Sequence, residues 1–169
     1  GEKDELVGIQ LRLGDSHINK KWGGDIIQTD NSDYDDKVNQ YILKILSNVK
    51  KHLELTNNND NFIFITSDSC LVFEIACQVW SKEQILYNEK KIVHIDKDND
   101  CSDGSIKTYV DHYILSRKTK VIYGSMKSGY SRTACLASNH SNFYNISEFV
   151  KDKKKKYRKS TINKICYWR

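Results

Sequence analysis

Val121-Ile-Tyr-Gly-Ser-Met-Lys-Ser-Gly-Tyr-Ser-Arg-Thr-Ala134 sets three strand-forming residues directly ahead of a turn rich in small residues and hydroxyls. An apolar helix is predicted to follow over Tyr130–Ala137. Ser128, Gly129 and Ser131 therefore fall where the chain changes from strand to helix. A helix N-terminus at that point carries unpaired N–H groups and the positive end of a dipole, which together suit a phosphate. Ordinary helix capping explains such a turn equally well when it stands alone.

The flanking sequence repeats the same alternation. Val7, Ile9, Leu11 and Leu13 alternate with Gly8, Gln10, Arg12 and Gly14, the period-two sign of a strand. A long polar stretch, Asp15–Tyr34, reads as a functional loop. Val38, Ile42, Ile45, Leu46, Val49 and Leu53 then recur at helical spacing within Asp35–Leu55. Phe62–Thr66 reads as a buried strand, and Ser69–Ser81 as a helix that Ser67 or Asp68 could cap, with Leu71, Ile75 and Val79 on one face. Ile92–Ile95 is expected to be the third strand. Tyr109–Arg117 is expected to be a helix with Val110, Tyr113 and Ile114 as its apolar stripe, and Asn142–Ile146 a short fifth strand. Strands alternating with helices predict an α/β domain, a Rossmann-like parallel sheet covered on both faces. Ligands of such sheets sit beyond the carboxyl ends of the strands.

The 169 residues suffice for one domain with a real core. No apolar run approaches membrane-spanning length, and Gly1-Glu-Lys-Asp-Glu does not have the pattern of a signal peptide. A start without Met suggests a piece of a longer protein. The net charge of +5 is unevenly placed: residues 1–150 are near −3 and residues 151–169 near +8. The division expected is a folded body over 1–150 and a basic tail or crossover helix over 151–169, off the site. Lysine runs of this kind are solvated faces or anion contacts. Nothing in the body has the basic and aromatic interleaving of a nucleic-acid surface. Cysteines 70, 77, 101, 135 and 166 form no CxxC pair and read as buried free thiols, and the five histidines lack zinc-ligand spacing. Asn139-His-Ser141 and Asn145-Ile-Ser147 fit the N-glycosylation pattern, as an Asn-rich chain does by chance.

The strand-end rule gathers a constellation. Arg12 and Asp15 close the first strand, Asp68 the second, and Ser125–Ser131 follow the fourth. The Arg12 guanidinium is permanently charged and forks across two oxygens, which suits a departing diphosphate; a strand-end pair with Asp15 is the plainer role. Gln10, on the same face, can bond a base or sugar or simply face water. Asp68 serves as an N-cap or as a ligand contact. Asp111 matches adjacent N–H donors on a guanine edge, or is an acid favoured by the first turn of its helix. His112 reads as packing rather than as a base.

Here the residues resemble a family. Gly8-Ile-Gln-Leu-Arg-Leu-Gly-Asp15 is similar to the first motif, His-x-Arg-x-x-Asp, of the fucosyltransferases that make α1,2-, α1,6- and protein O-linked fucose. Phe64-Ile-Thr-Ser-Asp-Ser69 resembles their second motif. Val110-Asp-His-Tyr-Ile-Leu-Ser116 with Val121–Ala134 resembles their third, in the same order over residues 6–146. The resemblance implies the donor-binding lobe of a GT-B glycosyltransferase. Arg12 would hold the β-phosphate of GDP-fucose and Asp111 the guanine, with Ser128, Gly129, Tyr130 and Ser131 around the diphosphate and ribose. Asp15 and Asp68 would support Arg12. It also implies inverting transfer without a metal or other cofactor, to a glycan or protein hydroxyl, with a second lobe supplying acceptor contacts. Gln10 departs from the family's histidine. The alternative is a non-catalytic nucleotide-sugar or protein-interaction domain that keeps the fold without the acceptor lobe.

Overall fold

A computed structural model describes residues 6–13, 32–58, 60–88, 103–125, 127–138 and 142–150. Within them lies a five-stranded, all-parallel sheet of order β3-β2-β1-β4-β5. The strands are β1 (Leu6–Leu11), β2 (Phe62–Ser67), β3 (Ile85–Tyr87), β4 (Thr119–Gly124) and β5 (Asn142–Asn145). The helices are α1 (Ser32–Leu55), α2 (Cys70–Val79), α3 (Asp103–Arg117) and α4 (Gly129–Ala137), with 3₁₀ turns at Lys82–Gln84 and Ile146–Val150. The architecture is α/β and Rossmann-like. Its strand order reverses between β1 and β4, the point at whose carboxyl edge sheets of this kind take their ligands.

Two cores explain which residues point where. Val7, Ile9 and Leu11 of β1 and Ile63 and Ile65 of β2 pack with Ile42, Ile45, Leu46, Val49 and Leu53 of α1 and Val72, Ile75 and Ala76 of α2. Phe64, Ile122 and Phe143, pointing the other way, pack with Leu115 of α3 and Ala134 and Cys135 of α4. Alternation along each strand thus feeds both layers. Gly8 and Gly124 let the second layer approach closely. A Cβ at Gly8 would collide with Leu115 Cδ1, and one at Gly124 would lie 2.6 Å from Ser131 Cβ.

Several expectations are corrected. The strand beside β2 is Ile85–Tyr87, which pairs through Ile63↔Ile85 to Ile65↔Tyr87; Ile92–Ile95 lies outside the described residues. α1 starts at Ser32, inside the stretch expected to be loop. α3 starts at Asp103 rather than Tyr109, which moves Asp111 out of the first turn. Of its expected apolar stripe only Ile114 packs toward the core; Val110 and Tyr113 are exposed, while Lys107, Thr108, Asp111 and Leu115 face inward. The N-cap of α2 is Ser69, which makes no side-chain capping bond of its own, and Ser67 Oγ accepts from the Ser69 N–H at 3.2 Å just ahead of the helix. Cys70 is exposed rather than buried, whereas Cys135 is buried. Asp15 and the tail over 151–169 lie outside the described residues.

Candidate functional site

β1 leaves the sheet at Leu11, and the next two residues are tied to the end of β2. Asp68 Oδ1 accepts a 2.9 Å hydrogen bond from the Leu13 backbone N–H. Its Oδ2 lies 3.7 Å from Arg12 Nε, with the two side chains 44% and 19% exposed. A pair this solvated contributes at most about 1 kcal/mol. Its effect is positional: Asp68 holds the Arg12 side chain at the carboxyl edge, where a strand-end guanidinium can meet an anion.

Behind that edge a polar cluster is buried beneath α3. Gln10 and Thr66 are register partners on β1 and β2 and share the face that α3 covers. Thr66 Oγ1 donates a 3.1 Å hydrogen bond to Asp111 Oδ2. The same oxygen is ion-paired with Lys107, one helical turn earlier, and neither charged side chain reaches solvent. The Lys107 ammonium also lies 5.4 Å from the centre of the Tyr87 ring at the end of β3. Burial pushes the Asp111 carboxyl above the usual carboxylate range, against the opposing pull of Lys107 and Thr66. Lys107 and Thr66 were not singled out from the sequence. The spacing of Lys107 four residues before Asp111 was the signal available.

α4 closes the cluster. Tyr130 donates its hydroxyl to the Thr108 carbonyl at 2.9 Å, joining α4 to α3. Burial first, and the Asp111 charge second, raise the Tyr130 pKa, so its phenol stays neutral. Ser131 is buried and donates to the Ser125 carbonyl at 2.9 Å, which fixes the turn after β4. His112 sits edge-on to Tyr130 and within 2.9 Å of Thr133 Oγ1, with its pKa lowered by burial. Ser128 N-caps α4 without a capping bond. Gly129, the first residue of that helix, has open space where a Cβ would stand.

The telling feature is what remains unpaired. Among the described residues, four buried side-chain oxygens or nitrogens lack a hydrogen-bond partner: Gln10 Oε1, Asp111 Oδ1, Ser128 Oγ and Asn39 Oδ1. Three belong to residues expected at the site. Leaving such groups dry and unbonded costs about 1–3 kcal/mol each. The arrangement can accept two N–H donors at Asp111 and Gln10 and offer a hydroxyl at Ser128.

The structure thus joins Gln10 to Asp111 through Thr66, and Arg12 to Asp68; Ser128–Ser131 open the helix after β4. A separate groove of about 290 Å³ between α1 and α2 is lined by Asp36, Asn39, Glu74 and Gln78 among others. No group of three or more His, Cys, Asp or Glu among the described residues is placed to hold a metal ion. No helix among them is long and apolar enough to cross a membrane. No protein-family model, curated protein or solved structure matches the chain.

Proposed function

We propose that this domain binds a nucleoside diphosphate sugar as the donor lobe of a fucosyltransferase-like glycosyltransferase, with GDP-fucose as the donor. The observation that carries the reading is the set of orphaned buried atoms, Gln10 Oε1, Asp111 Oδ1 and Ser128 Oγ, at the carboxyl side of a parallel sheet. Guanine brings adjacent N1–H and N2–H₂ donors, which Asp111 Oδ1 and Gln10 Oε1 would accept. Arg12 would neutralise the β-phosphate as charge develops on the leaving GDP. Ser128 and the open helix end at Gly129 would face the diphosphate. Ser131 and Tyr130, whose hydroxyls are already engaged, would shape that end rather than bond the ligand. Transfer would proceed with inversion: an acceptor hydroxyl on a glycan or protein attacks the anomeric carbon, its proton leaves to a base on a second lobe, and the GDP bond breaks.

Calorimetric titration with GDP, GDP-fucose, UDP and ADP tests this. Selective binding of the guanine nucleotides is expected. Equal or absent binding of all four by the folded domain would overturn it.

A second reading rests on Lys107. Its pairing with Asp111 Oδ2 removes one of the two carboxylate oxygens that a bidentate guanine contact uses. That favours a domain that retains the fold and binds a partner without turnover. Guanine binding unaltered by Asp111→Asn, with no hydrolysis or transfer, would support it.

A further inference from the structure

Lys107 reaches the buried cluster from α3, one turn ahead of Asp111, and its side chain is fully enclosed. Its ammonium donates to Asp111 Oδ2 and lies 5.4 Å from the centre of the Tyr87 ring. That ring is in turn stacked on Phe73 of α2, 4.5 Å between centroids and 9° from parallel. The cation is thus held between a carboxylate and a fixed aromatic ring. Asp111 Oδ2 also accepts from Thr66 Oγ1 at 3.1 Å. An oxygen that receives two donors has no place for a proton of its own. Asp111 Oδ1 and Gln10 Oε1 are buried and have no partner.

We propose that Lys107 is a positioning residue that decides which base the site takes: it occupies Asp111 Oδ2 and keeps the carboxyl ionised, leaving Oδ1 as a pure acceptor for the N1–H of a 6-oxopurine. The inference rests on the nucleotide-sugar reading above and gives that reading a reason for guanine over adenine. An ionised carboxylate only accepts hydrogen bonds, whereas a protonated one also donates. Guanine presents N1–H and N2–H₂ as neighbouring donors. Adenine presents N1 as an acceptor beside its N6–H₂ donor. With Oδ2 taken by Lys107, the second guanine donor goes to Gln10 Oε1. The ion pair therefore selects the oxygen that reads the base and fixes its proton state.

The surroundings leave this task to Lys107. β1 and β2 face Asp111 with the uncharged Gln10 and Thr66. Arg12 and Asp68, at the rim, pair with each other. α4 contributes Tyr130, whose phenol burial keeps neutral. His112, the next residue of α3, is turned to Tyr130 and Thr133. Burial pushes the Asp111 carboxyl up, and the hydrogen bond and charge of Lys107 oppose it more strongly than Thr66 does. Without that cation, burial leaves the proton on Asp111.

GDP-fucose and ADP-glucose are suitable probes, because an esterified diphosphate carries no phosphate that titrates near neutrality. Calorimetric titration at about pH 7, in phosphate and in Tris, counts the protons exchanged on binding from the change of enthalpy with buffer. The wild-type chain should bind GDP-fucose about tenfold or more tightly than ADP-glucose. Its binding enthalpy should be the same in both buffers. In Lys107→Met, GDP-fucose should weaken by about tenfold or more and should release about one proton, from Asp111 to the buffer. ADP-glucose should bind that variant more tightly than it binds the parent, since an Asp111 O–H can donate to adenine N1. Lys107→Arg, which keeps a cation, should return the proton count to that of the parent. A Lys107→Met chain with native circular dichroism that keeps the guanine preference and releases no proton would overturn the proposal. So would a wild-type chain that releases a proton on binding GDP-fucose, a result that requires no variant to fold. Equal or absent binding of both probes by the wild-type chain would instead overturn the nucleotide-sugar reading, and this inference with it.

Discussion

Lys107 and Asp111 stand one turn apart on α3 and form an ion pair in which the side chains are 0% and 1% exposed. Removing one partner leaves an uncompensated buried charge. Lys107→Met alone, or Asp111→Leu alone, is expected to destabilise the domain by about 3–5 kcal/mol in urea unfolding. The double variant should recover most of that loss, because an apolar pair of similar volume removes both desolvation penalties. It should also lose guanine nucleotide binding while staying folded. Single variants as stable as the parent would show that water reaches the pair in solution.

Arg12 is held by Asp68 but lies at the rim, so its truncation should affect binding more than folding. Arg12→Ala is expected to weaken GDP binding by about 1.5–3 kcal/mol, the range for a charged hydrogen bond. Unfolding free energy should move by less than about 1 kcal/mol. The two titrations are separable, and an unchanged GDP affinity would return Arg12 to a strand-end ion pair.

Two glycines near the turn after β4 should respond in opposite ways. At Gly124 a Cβ meets Ser131 Cβ at 2.6 Å and Phe143 Cε2 at 3.3 Å, so Gly124→Ala forces the sheet and α4 apart. A loss of about 1–3 kcal/mol is expected. At Gly129 nothing lies within 4 Å of a Cβ, and Gly129→Ala should stabilise by about 0.5 kcal/mol through the unfolded chain. If a diphosphate lies against that helix end, the same substitution weakens its binding. Thermal melts and titrations of one variant would then move in opposite directions.

A pH effect is expected on the other side of the sheet. His52 packs edge-on against Tyr123, Tyr144 and Phe149, and its Nδ1 lies 2.7 Å from the Tyr123 hydroxyl. Burial lowers its pKa below the ordinary 6.5. The unfolded chain then binds the proton more readily than the folded one. Stability is full above about pH 6.5 and is lost as pH falls from there to the lowered folded value. His52→Gln should flatten that part of the pH profile in urea unfolding. A slope that survives the substitution would assign it to other groups.

The long periodic elements were legible in the sequence. Ile42, Ile45, Leu46, Val49 and Leu53 are all buried as their spacing required, and β1 needed only its alternation. β3 was not legible. Three residues, Ile85–Tyr87, carry no period, and the more apolar Ile92–Ile95 competed for the assignment. α3 misled for a physical reason: Lys107 and Asp111 take buried positions, which leaves Val110 and Tyr113 of the expected stripe outside and only Ile114 against the core. Pattern rules assume that charge seeks water, and a paired charge need not. The link between Gln10 and Asp111 was hidden because it runs through Thr66, whose place beside Gln10 depends on β1–β2 register rather than on any local motif.

The central position of β1 has a consequence for the order of assembly. Its register partners are Phe62–Ser67 on one side and Thr119–Tyr123 on the other. The first of these strands to be synthesised is therefore completed by one made more than a hundred residues later. At ribosomal speeds that interval is on the order of ten seconds. Throughout it, an apolar strand keeps at least one bare hydrogen-bonding edge, the template on which foreign strands add. Local helices such as α1 can form early, but the centre of the sheet closes only with β4, and the nascent chain is most in need of a chaperone until then.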